Sequence, residues 1–180
     1  MSRHVALLRG INVGPHKRIA MPALRELLEG HGHQDVATYV QSGNIVLTSR
    51  LSPARLEQTL HEQIAEGLGV ETPVVVRTRD ELAAAIEANP LPDAVQDPKL
   101  FQVTFLSAAP SDDAVEAILT ADVTPEQVAV RGREIYAWHR AGVQRSKLAR
   151  MLVDKRLGVV ATARNWNTVN ALLALADEQG

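Results

Sequence analysis

Short apolar runs, separated by turn residues, mark the strands and helices in the first part of the chain. Residues 4–8 predict a strand that ends at Arg9-Gly10, and residues 9–20 predict a loop. A helix is predicted next, because Pro22 suits the first turn of a helix, where its missing N–H costs nothing. The helix has one apolar face, formed by Leu24, Leu27 and Leu28.

The elements that follow complete a ferredoxin-like pattern. Residues 36–40 and 44–48 predict two strands, and Gln41-Ser42-Gly43 between them predicts the turn of a hairpin. Ser52-Pro53 predicts the start of a second helix, and the valine-rich run at residues 72–78 predicts a buried strand. The order of elements is therefore β-α-β-β-α-β, which is that of the split βαβ fold.

The same order returns in the second half of the chain. A short helix and a linker are predicted at residues 80–98, because Asn89-Pro90 ends the helix and further prolines follow. The later elements are a strand at 100–106, a helix capped by Ser111, a hairpin turning at Gly132, a helix at 146–157, a strand at 159–162 and a helix at 167–177. We therefore predict an α+β protein with two ferredoxin-like subdomains, residues 1–79 and 99–180, related by internal duplication and followed by an extra C-terminal helix. The duplication rests on element order alone.

The composition limits the class of protein. Of the 180 residues, 46% are hydrophobic and 22% are charged, the balance of a chain that builds a globular core. Its apolar stretches are far shorter than the ~20 residues that cross a bilayer. The N-terminus lacks the apolar segment of a signal peptide. We therefore expect a cytoplasmic protein that does not enter the membrane.

The absence of cysteine removes disulfides, thiol nucleophiles, thiolate zinc sites and iron–sulfur clusters. The one metal-like cluster, His31-Gly32-His33 with Asp35, lies where a helix C-terminus favours histidine charge. No pair of carboxylates suggests acid–base catalysis. We expect neither a metal nor a cofactor, name no catalytic residue, and leave open whether the protein is an enzyme.

Charge is unevenly distributed, although the net charge is only −2. Residues 1–25 carry five basic residues and no acidic one, and residues 131–164 carry nine basic residues against two acidic ones. Residues 91–130 compensate with seven acidic residues and one lysine. If the fold brings the two basic segments together, they form a cleft for an anion; the alternative is that they are solvated helix faces.

The loop at residues 9–17 is the first candidate site, because a glycine-containing loop between a strand and a helix can aim backbone N–H groups at an anion. It matches neither the P-loop nor the dinucleotide-binding loop in glycine spacing. Turn chemistry explains its glycines, but not the cluster of Arg9, Asn12 and Lys17 in one long loop. We predict these three side chains as ligand contacts.

Two further segments supply candidate contacts. In the predicted hairpin turn, Gln41, Ser42 and Asn44 offer hydrogen-bonding side chains; Ser42 lacks the sequence frame of a nucleophile. Before the last helix, Arg164, Asn165 and Trp166 either cap and staple that helix or hold a phosphate and stack a base. Both interpretations stay open.

Three segments resemble the domain-of-unknown-function family 1697: residues 6–14, 39–44 and 162–168. Pro15-His16 departs from the family pattern, which has a second glycine and a small or basic residue there. The departure argues against a freely mobile loop. The resemblance implies an α+β fold and a bacterial cytoplasmic protein, and it names no substrate.

Together these features predict a protein that binds a small anionic ligand, phosphate-bearing or a nucleotide, in a basic cleft formed by the three segments. One alternative is a nucleic-acid-binding module, because ferredoxin-like sheets can stack bases on aromatic side chains. The candidates for stacking are Phe101, Phe105, Tyr136 and Trp138, unless these rings form the second core. Another alternative is an interaction protein that forms a homodimer through a sheet edge.

Overall fold

The computed structural model of the chain describes residues 1–178. The chain forms two compact units: the first is Met1–Ala84 together with the C-terminal segment from Ala171, and the second is Ala85–Asn170. Each unit has one four-stranded sheet. The predicted fold class, α+β with two ferredoxin-like subdomains and a C-terminal helix, is confirmed.

The sheet of the first unit has the strand order β2-β3-β1-β4, and its central strand β1 is antiparallel to both β3 and β4. This is the order of the ferredoxin-like fold. The elements are β1 (Ser2–Leu8), α1 (Met21–Gly30), β2 (Gln34–Tyr39), β3 (Asn44–Ser49), α2 (Pro53–Leu68), β4 (Val74–Thr78) and α3 (Arg79–Glu87). Because β1 is central, its last five residues are all buried.

One face of this sheet forms a core with α1 and α2. Ala6, Leu8 and Ile45 of the sheet belong to the same buried cluster as the leucines of both helices. In α2 the side chains of Leu56, Leu60 and Ile64 step by four along the helix and are completely buried. Ser52 begins this helix, since its Oγ accepts the N–H of Arg55.

The second unit repeats this topology, with the strand order β6-β7-β5-β8. Its elements are β5 (Phe101–Leu106), α4 (Asp112–Thr120), β6 (Gln127–Arg131), β7 (Glu134–Trp138), α5 (Lys147–Met151), α6 (Asp154–Leu157) and β8 (Ala161–Asn165). The last helix, α7 (Trp166–Asp177), begins in this unit, and its residues from Ala171 belong to the first unit. Short 3-10 helices lie at Pro92–Gln96, in the predicted linker, and at Val143–Arg145. Among the described residues, no helix has the length and apolar character needed to cross a membrane.

The single helix predicted at residues 146–157 is wrong, because the structure has two short helices there. Leu148 and Leu157 both belong to the core of the second unit. At about 100° per residue, side chains nine positions apart lie on opposite faces of a continuous helix. The break between α5 and α6 turns Leu157 back to the core, and Asp154 Oδ1 then accepts the N–H of Ala161 at 3.0 Å.

Hydrogen bonds around the central strands show that the two units share one register. The bonds of the first unit are Leu8 N–H to Gly43 O (2.8 Å) and Arg9 N–H to Pro73 O (3.0 Å); those of the second are Leu106 N–H to Arg133 O (2.9 Å) and Ser107 N–H to Val160 O (2.9 Å). Leu8 is therefore equivalent to Leu106. The internal duplication predicted from element order is supported by an independent structural feature.

The shared register places two buried arginines at equivalent positions. Arg77 of β4 is opposite Val5, and Arg164 of β8 is opposite Val103. They are 1% and 8% exposed. In each, Nη1 donates to the carbonyl of the preceding residue, at 3.0 Å from Arg77 and 2.9 Å from Arg164.

A capped helix follows each of these arginines. Thr78 Oγ1 accepts the N–H of Glu81 at 3.1 Å, and Asn165 Oδ1 accepts the N–H of Thr168 at 2.9 Å. Helix α3 is thus the counterpart of α7. The repeated unit extends beyond βαββαβ to include a trailing helix, and the C-terminal helix is one of its two copies.

Candidate functional site

The loop between β1 and α1 is folded back on itself and held by Asn12. Its side-chain Oδ1 accepts the N–H of Ile19, its Nδ2 donates to the carbonyl of Ile19, both at 2.9 Å, and its backbone N–H donates to the carbonyl of Lys17 at 3.0 Å. Residues Gly10, Asn12, Gly14 and Lys17 all have φ between 53° and 70°. The loop is therefore a closed turn with a defined backbone.

This loop is attached to the β2–β3 turn. Asn12 Nδ2 also donates to the carbonyl of Gln41 at 2.6 Å. Gly43 lies so close to the start of the loop that a Cβ there would come within 2.7 Å of Leu8 Cβ and 2.9 Å of Ile11 Cδ1. Its φ of 78° also favours glycine. Loop and turn thus lie side by side at one end of the first sheet.

Within the turn, Asn44 has the same function that Asn12 has in the loop. Asn44 is completely buried, and its Nδ2 donates to the carbonyl of Tyr39 at 3.0 Å and to Ser42 Oγ at 2.9 Å. These bonds close the turn around Gln41. Asn12 and Asn44, both predicted as ligand contacts, therefore hold the backbone that carries the other candidate residues of the first unit.

The remaining predicted contacts in the first unit are more accessible. Lys17, Gln41 and Ser42 are exposed, and Arg9 is half-buried. Arg9 lies where the chain leaves β1, and its carbonyl accepts the hydroxyl of Thr72 at 2.7 Å. Arg18, next to Lys17, is also exposed and adds a second cation to the loop.

Two exposed valines at this end of the sheet were not recognised in the sequence. Val13 is 75% exposed and Val40 is 53% exposed. Val40 also has a φ of 50°, which is rare for a β-branched residue. No local sequence signal marks it, because this φ depends on how β2 enters the turn.

The third predicted segment belongs to the second unit and is tied into it. Arg164 lies on β8, where its Nη1 donates to Thr162 Oγ1 at 2.6 Å; burial lowers its pKa to about 10, so it stays charged at neutral pH. Asn165 caps α7. Trp166 is the first residue of α7, and its ring packs on that of Phe101 with 4.8 Å between centroids.

The four aromatic side chains proposed to stack bases are core residues. Phe101, Phe105, Tyr136 and Trp138 are between 0% and 5% exposed. Tyr136 donates its hydroxyl to the carbonyl of Ala85 at 2.6 Å, and Trp138 Nε1 donates to Asp97 at 3.1 Å. In this structure none of the four rings is accessible to a base.

A buried Ser–His pair in the second unit was also missed by the sequence analysis. His139 Nδ1 lies 2.7 Å from Ser146 Oγ, and the two residues are 1% and 2% exposed. Burial lowers the pKa of His139 to about 4, so the imidazole is neutral at pH 7. Ser146 Oγ also accepts the N–H of Ala149 at 3.0 Å, which makes the pair a helix cap.

Among residues 1–178, no three His, Asp or Glu side chains lie close enough together to hold a metal ion. His33, from the cluster singled out in the sequence, instead pairs with Gln63, with 2.8 Å between Nε2 and Oε1.

Comparisons with known proteins place the chain in a family. A solved structure from Streptococcus pneumoniae, described as a conserved bacterial protein, is similar at a TM-score of 0.78 and 22% identity, covering 97% of this chain and 98% of that one. This similarity shows the fold. No curated protein matches. The family model "Protein of unknown function (DUF1697)" matches residues 1–136, which include the loop and the β2–β3 turn and end before residues 162–168. Because the match covers most of the chain, and agrees with the resemblance found in the sequence, the protein belongs to the DUF1697 family.

Proposed function

We propose that the protein binds a small phosphate-bearing anion at the loop site, which we define as Arg9, Lys17, Arg18, Gln41 and Ser42. The observation that carries the proposal is that a loop rich in exposed cations is held in one conformation by Asn12. A binding loop that is already ordered loses less conformational entropy when its ligand binds.

The equivalent connection in the second unit supports this assignment. Residues 107–111 join β5 to α4, whereas residues 9–20 join β1 to α1. The short connection shows that the fold itself does not require a long loop at this position. The extra length of the first loop is therefore available for a function.

The charge of the segment favours an anion. Residues 1–25 contain no acidic residue, so no carboxylate of this segment neutralises Lys17 and Arg18. Two adjacent cations repel each other, and a bound dianion relieves the repulsion. Gln41 and Ser42 add neutral hydrogen-bonding groups beside the cations, with Ser42 Oγ positioned by Asn44.

The test is thermal unfolding in the presence of a panel of phosphate-bearing metabolites. We compare the wild type with the double variant Lys17→Ala/Arg18→Ala. The control is Lys155→Ala/Arg156→Ala, which removes another exposed pair of adjacent lysine and arginine side chains, in α6. A ligand present at ~100 times its Kd should stabilise the wild type and the control by ~2.7 kcal/mol, and the loop variant much less.

Two results would overturn the proposal: no stabilisation of the wild type by any member of the panel, or equal stabilisation of the loop variant.

Nucleic acid is the second candidate, favoured by the exposed basic side chains of the second unit. These are Arg131, Arg140, Arg145, Lys147, Arg150, Lys155 and Arg156. Binding through many phosphates should weaken steeply between ~50 and ~200 mM salt, whereas a single small anion should respond weakly.

A further inference from the structure

Val40 combines two unfavourable features. Its φ of 50° places a β-branched side chain in the left-handed region, where glycine and asparagine are far better tolerated. Its side chain is also 53% exposed, so it gains little from burial in the core. Neither the turn nor the core benefits from valine here. An unusual conformation held at an exposed position is a reason to look for a function.

Val13 is a second exposed apolar side chain in the same place, with 75% of its surface accessible. Its neighbour Asn12 is hydrogen-bonded to Gln41, which is the neighbour of Val40. This bond, from the Asn12 side chain to the Gln41 carbonyl, therefore links the loop that carries Val13 to the turn that carries Val40. The backbone N–H of Asn12 also donates to the carbonyl of Lys17, so the valines and the cation share one scaffold.

We propose that Val13 and Val40 contact an apolar ring of the ligand, and that the ligand class is a nucleoside phosphate. This inference rests on the proposed function, in which Lys17 and Arg18 bind the phosphate. A flat heterocycle can pack on valine methyl groups while its phosphate lies several ångströms away. A lipid surface fits less well, because helices and tips that enter membranes present larger Trp, Phe or Leu side chains.

The decisive variant is Val40→Asn, because it should lower the affinity for the ligand without lowering the stability of the protein. Asparagine adopts the left-handed conformation more readily, so the melting temperature should rise or stay unchanged. Affinity for adenosine monophosphate should fall about tenfold, the effect of losing ~50 Å² of apolar contact. Affinity for inorganic phosphate should not change. Val13→Ser provides an independent variant with the same expected binding result.

Calorimetric titration with adenosine monophosphate and with inorganic phosphate measures both affinities. The control is Val95→Asn, at a valine of the second unit that is 44% exposed and lies in the 3-10 helix Pro92–Gln96. The wild type and this control should prefer adenosine monophosphate over phosphate by about tenfold or more. Both Val40→Asn and Val13→Ser should lose most of this preference.

The outcomes separate the inference from the proposed function. If neither probe binds the wild type, the inference fails; the proposed function fails as well only if no member of the metabolite panel stabilises the wild type. If phosphate binds as well as adenosine monophosphate, or if both valine variants keep the wild-type preference, only the inference is overturned. Binding to vesicles that contain anionic lipid, in a wild type without nucleotide preference, would overturn it in favour of a lipid surface.

Discussion

At the scale of single residues, the conformation of the loop site depends on side chains that are not themselves proposed to bind the ligand. Asn12 makes three side-chain bonds, two to Ile19 and one to Gln41. The sequence marks it as a polar residue in a glycine-containing loop, which fits a ligand contact equally well. Only the folded structure shows that its side-chain amide is hydrogen-bonded to backbone groups.

Asn12→Ala should lower the free energy of unfolding by about 1–3 kcal/mol, because it leaves partly buried backbone groups without partners. Urea denaturation measures the change. The control Asn170→Ala removes an exposed side chain whose Nδ2 donates to Trp166 O within α7, and it should change stability by less than ~0.5 kcal/mol. Equal effects of the two substitutions would show that Asn12 does not hold the loop.

Gly43 is needed for two reasons, and a matched glycine separates them. Gly43→Ala introduces both an unfavourable φ and a close approach to Leu8. Gly132, in the hairpin turn of the second unit, has a φ of 55° but no atom within 4 Å of an added Cβ. Gly132→Ala should cost ~1 kcal/mol, and Gly43→Ala at least ~1 kcal/mol more, in urea denaturation. Equal costs would mean that loop and turn separate easily.

At the scale of elements, each half of the chain has a strand that carries a buried arginine and is followed by a capping residue and a helix. Comparison of the two halves of the sequence does not reveal this part of the duplication. Arg77-Thr78 and Arg164-Asn165 differ in the residue that caps the helix, although both caps accept an N–H three residues on. Different side chains can satisfy the same orphan backbone group at a helix start. Structure therefore repeats where the residues do not.

Arg77→Lys and Arg164→Lys should both destabilise the protein, because lysine keeps the charge but loses the planar fork of donors in a buried position. We expect a loss of about 1–3 kcal/mol for each in urea denaturation. Stabilisation by the ligand of the loop site should be unchanged in both variants. A large loss for one arginine and none for the other would show that their equivalent positions do not imply equivalent roles.

Helix prediction from periodicity succeeded where a single face meets a single core. In α2, Leu56, Leu60 and Ile64 share one face and are all completely buried. At residues 146–157, Leu148, Met151 and Leu152 share one helical face, but the core also includes Leu157. The chain therefore breaks between α5 and α6, because one continuous helix cannot turn both Leu148 and Leu157 to the same core.

At the scale of the whole molecule, acid should destabilise the fold through His139. Its pKa is lowered by burial from the ordinary 6.5 to about 4. Between these values the unfolded chain binds a proton that the folded chain does not, so stability falls as the pH falls from 6.5 to 4. The full loss is about 3 kcal/mol. His4, whose pKa is lowered by burial, adds a change of the same sign.

Urea denaturation at a series of pH values checks this prediction. The slope between pH 6.5 and 4 should be smaller in His139→Asn, which cannot take up a proton and retains a polar group beside Ser146. Asp122 and Asp177, whose pKa values are lowered by hydrogen bonds to Thr124 and Arg79, respectively, lose their contribution mainly below this window. An unchanged slope in His139→Asn would contradict the assignment.

The class of fold is predictable from the sequence alone, because apolar periodicity, proline and glycine act locally and their order along the chain repeats. The sequence also indicated the family, and it contains the segments in which we propose the loop site. The tertiary structure decided which polar residues hold the backbone and which are exposed, since Asn12, Asn44 and Asn165 find their partners only after the chain folds. It likewise decided the left-handed φ of Val40, because turn geometry depends on the strands on both sides. Hydrogen bonds between distant segments and the shape of a turn are not encoded residue by residue.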